Sequence, residues 1–196
     1  MIIGITGGSG CGKTTALKTF ESLGGTVLDC DAVYHELLKT DTAMLRAIEA
    51  RFPGTVEQGS LNRQKLAAIV FSDKNALLDL NQITHSAVKR EVLRLLPPVP
   101  GLVAIDAIGL FEGGLAELCD TTVAVTAPEE DRVARLTARE GISSEYAASR
   151  IAAQKPQSYF SELCQHTLEN NGSIDAFATK CIAFFSKLAI IEENQL

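Results

Sequence analysis

The chain opens with a strand, a glycine-rich loop and a helix in immediate succession, and no other segment narrows its possible folds so far. Met1-Ile2-Ile3-Gly4-Ile5-Thr6 is short, apolar and β-branched, the pattern of a buried parallel strand. Gly7-Gly8-Ser9-Gly10-Cys11-Gly12-Lys13-Thr14 follows and satisfies G-x-x-x-x-G-K-[ST], the phosphate-binding loop. Residues 15–23 then place Leu17, Phe20 and Leu23 at helical spacing, with Gly24-Gly25 as a stop. Strand, loop and helix in this order aim a helix N-terminus at a phosphate.

Each fixed position of the loop has a physical reason. Residues without Cβ let the backbone curl with its N–H groups turned inward. Lys13 brings a compact positive charge to the β- and γ-phosphates, and the Thr14 hydroxyl suits the Mg²⁺ that bridges them. The segment therefore predicts a nucleoside triphosphate site, with Ser9, Gly10, Cys11, Gly12, Lys13, Thr14 and Thr15 binding ATP and Thr14 holding the metal.

Strands and helices alternate along the rest of the chain, which predicts an α/β fold with a parallel sheet. Residues 26–31 read as a second strand ending in Asp29 and Asp31, which alternation would place on the same face. From residue 32 to about 96 the pattern is helical, with helices over 41–52 and 62–71 and two more within 74–96. So long a stretch between strands exceeds an ordinary crossover and reads as an inserted helical lobe. Pro97-Pro98-Val99-Pro100-Gly101 breaks the last of these helices.

Further strands are expected at 102–106, 121–126 and, with an unusually polar sequence, 166–169. Pro128 and three acids open a helix that Gly141 closes, and another runs over 144–154. The last helix, from Ser173, sets Ile174, Phe177, Ala178, Cys181, Phe184, Leu188 and Ile191 on one face.

At 196 residues one core with an insertion is a better expectation than two independent domains. The net charge of −6 argues against broad nucleic-acid or anionic-membrane binding. The N-terminus lacks the basic and apolar regions of a signal sequence, and no apolar run is long enough to span a bilayer. Five cysteines, odd in number and never spaced C-x-x-C, suggest neither a disulfide framework nor a zinc site, so a cytoplasmic protein is expected.

Several residues carry chemistry on this reading. A carboxylate at Asp31 could take the proton of an attacking hydroxyl, while Asp29 divides between that role and a helix cap. Asp106 ends a strand of Walker B form and could hold the magnesium shell or be a plain strand-end acid. Asp106-Ala107-Ile108-Gly109 also fits the D-x-x-G of GTPases, but no N-K-x-D-type guanine motif follows. Arg132, Arg135 and Arg139 share one helix face; Arg132 reads as a solvated residue paired with glutamate, and Arg139 as the phosphate contact. Cys11, beside Lys13 and a helix N-terminus, is a candidate for a lowered thiol pKa and redox sensitivity.

These residues together resemble one family, the dephospho-coenzyme A kinases, relatives of the nucleoside monophosphate kinases. Residues 4–14 look like that family's phosphate loop, and Leu28-Asp29-Cys30-Asp31-Ala32 is similar to its D-A-D segment. Gly59-Ser60-Leu61-Asn62-Arg63, Ile69-Val70-Phe71-Ser72-Asp73 and Leu80-Asn81-Gln82-Ile83-Thr84-His85 follow the family order. Leu110-Phe111-Glu112 is similar to the P-L-L-F-E element, Arg135, Arg139, Arg150 and Gln154 to the lid, and Asn170-Asn171-Gly172-Ser173 to the N-N-G-S turn beside adenine.

Three places depart from the family pattern: Ile108-Gly109-Leu110 for P-L-L, His85-Ser86 for H-P, and Cys164-Gln165 for A-D. The resemblance implies a P-loop kinase fold, a parallel sheet flanked by helices with an inserted helical acceptor-binding lobe and a helical lid. The implied division is 1–31 with 101–127 and 165–196 as nucleotide-binding core, 32–100 as acceptor-binding insertion and 128–164 as lid.

It implies phosphorylation of the ribose 3′-hydroxyl of dephospho-CoA by ATP with Mg²⁺, the last step of coenzyme A synthesis. Lys13, Asp31 and Arg139 would be catalytic, Asn171 would join the ATP site, and Asp31, His85, Leu110 and Glu112 would contact the acceptor. Two alternatives stand beside it: another small-molecule P-loop kinase, and a non-catalytic nucleotide-binding regulator.

Overall fold

The computed structural model describes residues 1–96 and 101–193, the last five as backbone only. The break expected at 97–100 and the side chain of Ile191 lie outside the residues so described. The described chain forms two compact units, Met1–Val27 with Pro97–Leu110 and Ala116–Leu196, and Leu28–Leu96 with Phe111–Leu115.

The first unit is built on a five-stranded sheet in the order β2-β5-β1-β6-β7, comprising β1 (Ile2–Thr6), β2 (Thr26–Asp29), β5 (Val103–Asp106), β6 (Thr121–Thr126) and β7 (His166–Glu169). β1 runs parallel to both β5 and β6, with Ile3 opposite Ala104 on one side and Thr121 on the other. The central strand is covered on both faces: Ile3 and Ile5 on one and Gly4 and Thr6 on the other are all buried.

Helix α1 (Lys13–Ser22) and the long α9 (Ile174–Glu193) pack together with the sheet. Phe20 meets Phe185 edge to face at 5.1 Å between ring centroids, and Leu168, Phe177, Cys181 and Leu188 complete this core. Ile174, expected on the buried face, is instead 74% exposed, because α9 begins there, a turn ahead of its first core contact. α6 (Glu129–Glu140) and α7 (Ser144–Ala152) form a pair around Leu136, Ala147 and Ile151, and a short α8 (Gln157–Leu163) buries Phe160. A 3₁₀ turn over Ala116–Leu118 precedes β6.

The second unit holds α2 (Cys30–Thr40), α3 (Thr42–Arg51), a hairpin of β3 (Val56–Glu57) and β4 (Ser60–Leu61), α4 (Arg63–Val70) and α5 (Lys74–Leu95). Four of its helices are started by a side-chain cap: Asp29, Asp41, Asn62 and Asp73 each accept from backbone N–H groups of the first turn. The hairpin turns on Gln58 and Gly59, both with positive φ, as a two-residue reversal requires.

Two expectations are corrected here. The strand over 26–31 stops at Asp29, whose carboxylate accepts from the N–H groups of Asp31 at 2.9 Å and Ala32 at 3.0 Å. Asp29 is therefore the cap of α2 and Asp31 lies in its first turn, so strand alternation does not relate them. The two helices expected within 74–96 are one, since the stretch contains neither glycine nor proline and keeps Ala76, Thr84, Ala87, Val88 and Val92 buried along its length.

Candidate active site

The phosphate loop joins the end of β1 to the start of α1 in the first unit. Gly12 sits at φ +103°, and a Cβ there would collide with the Asn170 amide, so both conformation and space require glycine. Asn170 is 5% exposed; its Nδ2 donates to the Cys11 carbonyl at 3.0 Å, and its own N–H reaches the Thr126 carbonyl at 2.7 Å. The loop is thus tied to the sheet end between β6 and β7.

Lys13 directs its Nζ to Asp106 at the end of β5, 3.0 Å away, with both side chains about five-sixths buried. Of the two readings of Asp106, the strand-end acid and the active-site acid, the pairing favours the second. Thr14 is exposed on the first turn of α1, and its hydroxyl and the Asp106 carboxylate are oxygen donors of the kind a hard divalent cation takes. Among the described residues no group of three or more His, Cys, Asp or Glu could hold a metal alone.

α6 and the end of α7 meet the loop through residues the sequence ranked otherwise. Arg132, read as a solvated residue, is 3% exposed; its Nε donates to the Ser9 carbonyl at 2.9 Å. The cause is its position on α6, directly behind the loop, where Gly10 packs on its backbone. Arg135 donates to the Gly10 carbonyl at 3.3 Å and the Asn170 Oδ1 at 3.2 Å. Gln154 accepts from the Ser9 N–H at 2.9 Å and donates to the Ser9 hydroxyl at 2.8 Å. Arg139 lies 60% exposed at the end of α6, bonded to Glu140 at 2.5 Å; Arg150 shares that carboxylate.

Cys11 is also corrected. Its thiol is 1% exposed, and burial pushes its pKa up, outweighing the Lys13 and Arg132 charges that pull it down. Leu110 is wholly buried against Gly4, so its side chain belongs to the core and offers no surface to an acceptor. Asn171 lines a cavity of about 370 Å³ of mixed polarity with Thr126, Pro128, Gln157, Thr167 and Glu169 at the ends of β6 and β7.

The other three residues assigned to the acceptor lie in the second unit. Asp31 is exposed on α2, His85 half-buried on α5 and Glu112 exposed on the Phe111–Leu115 segment. That unit has its own cavity of about 210 Å³, mostly apolar, lined by Leu38, Leu66, Val70 and Phe71 with Tyr34 and Arg63 as its polar members. Asn170 and Arg132 are the contacts that sequence reasoning missed. The neighbour of Asn171 carried the signal for the first; nothing in helical spacing separates a buried arginine from a solvated one.

Comparison with known proteins supplies the family. The family model described as dephospho-CoA kinase matches residues 1–176. The dephospho-CoA kinase of Syntrophotalea carbinolica is 34% identical, over 96% of this chain and 92% of that protein. The one from Thermus thermophilus is 37% identical, over 89% and 85%. A crystal structure of TT1252 from Thermus thermophilus superposes with a TM-score of 0.75 at 36% identity, covering 96% of this chain and 97% of that one. Shikimate kinase from Bacteroides thetaiotaomicron, at 16% identity and a TM-score of 0.57 over 96% and 98%, shares the P-loop kinase fold. With a family model spanning most of its length and relatives above 30% identity, the chain belongs to the dephospho-CoA kinase family.

Proposed function

We propose that the chain transfers the γ-phosphoryl group of ATP to the ribose 3′-hydroxyl of dephospho-CoA, giving coenzyme A and ADP. The observation that carries this reading is the formed phosphate loop, with Lys13 already drawn to the strand-end acid Asp106 at 3.0 Å. Loop amides and Lys13 hold the triphosphate, and Asn171 borders the adenine. Thr14, with phosphate oxygens, would hold Mg²⁺, which when bound neutralises charge on the phosphates. Asp31 accepts the proton of the 3′-hydroxyl as its oxygen bonds to the γ-phosphorus and the bond to the β-phosphate oxygen breaks. Arg139, on a lid formed by 128–164, stabilises the transferring group once it leaves Glu140.

The helical unit takes the acceptor, with His85 and Glu112 among its contacts; the Arg63 side chain of its cavity suits an anionic diphosphate and the apolar lining an uncharged arm. The partners are these two nucleotides; a net charge of −6 gives no broad basic field for nucleic acid, and the cysteine spacing fits the cytoplasm.

The test is an ADP-release assay with ATP, Mg²⁺ and dephospho-CoA, with adenosine, AMP and shikimate as rival acceptors. We expect turnover with dephospho-CoA alone. Lys13→Ala should abolish it, and Asp31→Asn should cut kcat by about 10²-fold or more with ATP binding intact. Normal turnover in Asp31→Asn would remove the base assignment, and turnover on another acceptor alone would replace the substrate.

A further inference from the structure

Arg132 is a cation sealed into the wall of the phosphate loop with neutral partners on both sides. Its Nε donates to the Ser9 carbonyl at 2.9 Å and its Nη2 to the Gln154 Oε1 at 3.3 Å; neither acceptor is a carboxylate. Glu129 reaches it only through space, whereas the neighbouring Arg135 has Asp131 at 3.6 Å and Lys13 has Asp106. A buried charge with no opposite charge is unfavourable unless one arrives with a ligand. Burial lowers the pKa of this guanidinium, the direction expected of a cation short of countercharge.

The surrounding residues are arranged around this side chain. A Cβ on Gly8 would stand 2.5 Å from Nη2, and one on Gly10 would stand 2.7 Å from the Arg132 carbonyl, so the two glycines make the room it occupies. Gln154 completes the arrangement: its oxygen takes both the Ser9 N–H and the arginine, and its nitrogen holds the Ser9 hydroxyl. Ser9 is gripped at three of its polar atoms, each by a residue from α6 or the end of α7.

We propose that Arg132 is a positioning residue for the triphosphate: with Gln154 it fixes the outer wall of the loop through Ser9, and the nucleotide's phosphates supply the countercharge its burial lacks. This rests on the ATP-binding reading above.

Arg132→Gln and Arg132→Lys test it in the full-length protein. Arg132→Gln should raise the KM for ATP about tenfold, with kcat at saturating ATP and the KM for dephospho-CoA each held within about twofold. Without nucleotide its Tm should equal or exceed that of the parent; with saturating ATP it should fall below. Arg132→Lys, which keeps the charge but loses the fork, should lie between parent and Arg132→Gln in KM for ATP. By calorimetry the loss in affinity should grow from AMP to ADP to ATP.

An unchanged KM for ATP in Arg132→Gln would overturn the proposal. So would equal values in the two variants, or a free-state Tm that falls while ATP affinity is kept. Should Arg132→Gln not fold, an Arg132→Lys variant with parental KM for ATP overturns it and a raised one supports it. Failure of the parent protein itself to bind ATP would instead remove the reading on which this one rests.

Discussion

Cys11 shows how position within a loop and position within a fold can oppose each other. A helix N-terminus and a lysine two residues on would make a thiol acidic in an open loop. Here the same sulfur is covered on all sides, and the cost of placing a thiolate there exceeds what those charges return. Its thiolate fraction near neutral pH is therefore below that of an exposed cysteine. Cys119, Cys164 and Cys181 are raised as well, to about 12, about 11 and about 11, burial leading in each case. Iodoacetamide followed by mass spectrometry at pH 7.5 should label Cys11 far more slowly in the native protein than in urea, by about tenfold or more. ATP should add little to that protection. Rapid native labelling that ATP suppresses would restore the redox-sensitive reading.

At the scale of elements, the second unit is assembled from helices whose starts are fixed by three aspartates and an asparagine, and Glu49 extends this to a turn. Its two carboxylate oxygens accept from the Gly54 and Val56 N–H groups, each at 2.7 Å, fastening the end of α3 to the start of the hairpin. Those bonds hold its pKa below the ordinary 4.5, the Gly54 bond first and the Val56 bond next. A lowered pKa means stability present above 4.5 and lost as pH falls through the folded value. Urea unfolding should therefore show the parent losing stability between about pH 5 and pH 3 more steeply than Glu49→Gln. Parallel pH profiles in the two proteins would show that the carboxylate does not act this way.

The same scale explains what was legible beforehand. The strand, loop and helix from Ile2 to Ser22 announced themselves because each glycine and the lysine have one physical use. The caps at Asp41 and Asn62 fell at the expected helix starts. That residues 74–95 form one helix rather than two shows only in the unbroken burial from Ala76 to Val92, which the sequence pattern does not display. Arg132 was misjudged for a related reason: spacing gives a face, and only the tertiary packing says what that face meets. The family pattern carried acceptor residues such as His85, which spacing alone would have left unremarkable.

For the whole molecule, the phosphate loop lies in one compact unit and Asp31, His85 and Glu112 in the other, so the proposed reading would draw on both. No helix among the described residues is long and apolar enough to cross a membrane.

The polar sequence of β7 has a consequence of its own. β7 closes one side of the five-stranded sheet, pairing with β6 and leaving its other side unpaired within it. Only Leu168 of its four residues is buried; Thr167 and Glu169 are exposed, as is His166, whose ring meets Phe184 edge to face at 5.2 Å. An apolar strand there would be a ready template for a second molecule's backbone; a short one bearing a charge and an imidazole is a poor one. The polarity of this strand is expected to disfavour edge-to-edge pairing with a second copy. His166→Val should leave turnover within about twofold yet increase light scattering on refolding at micromolar concentration. Equal scattering from both proteins would mean that strand polarity does not set the tendency to associate.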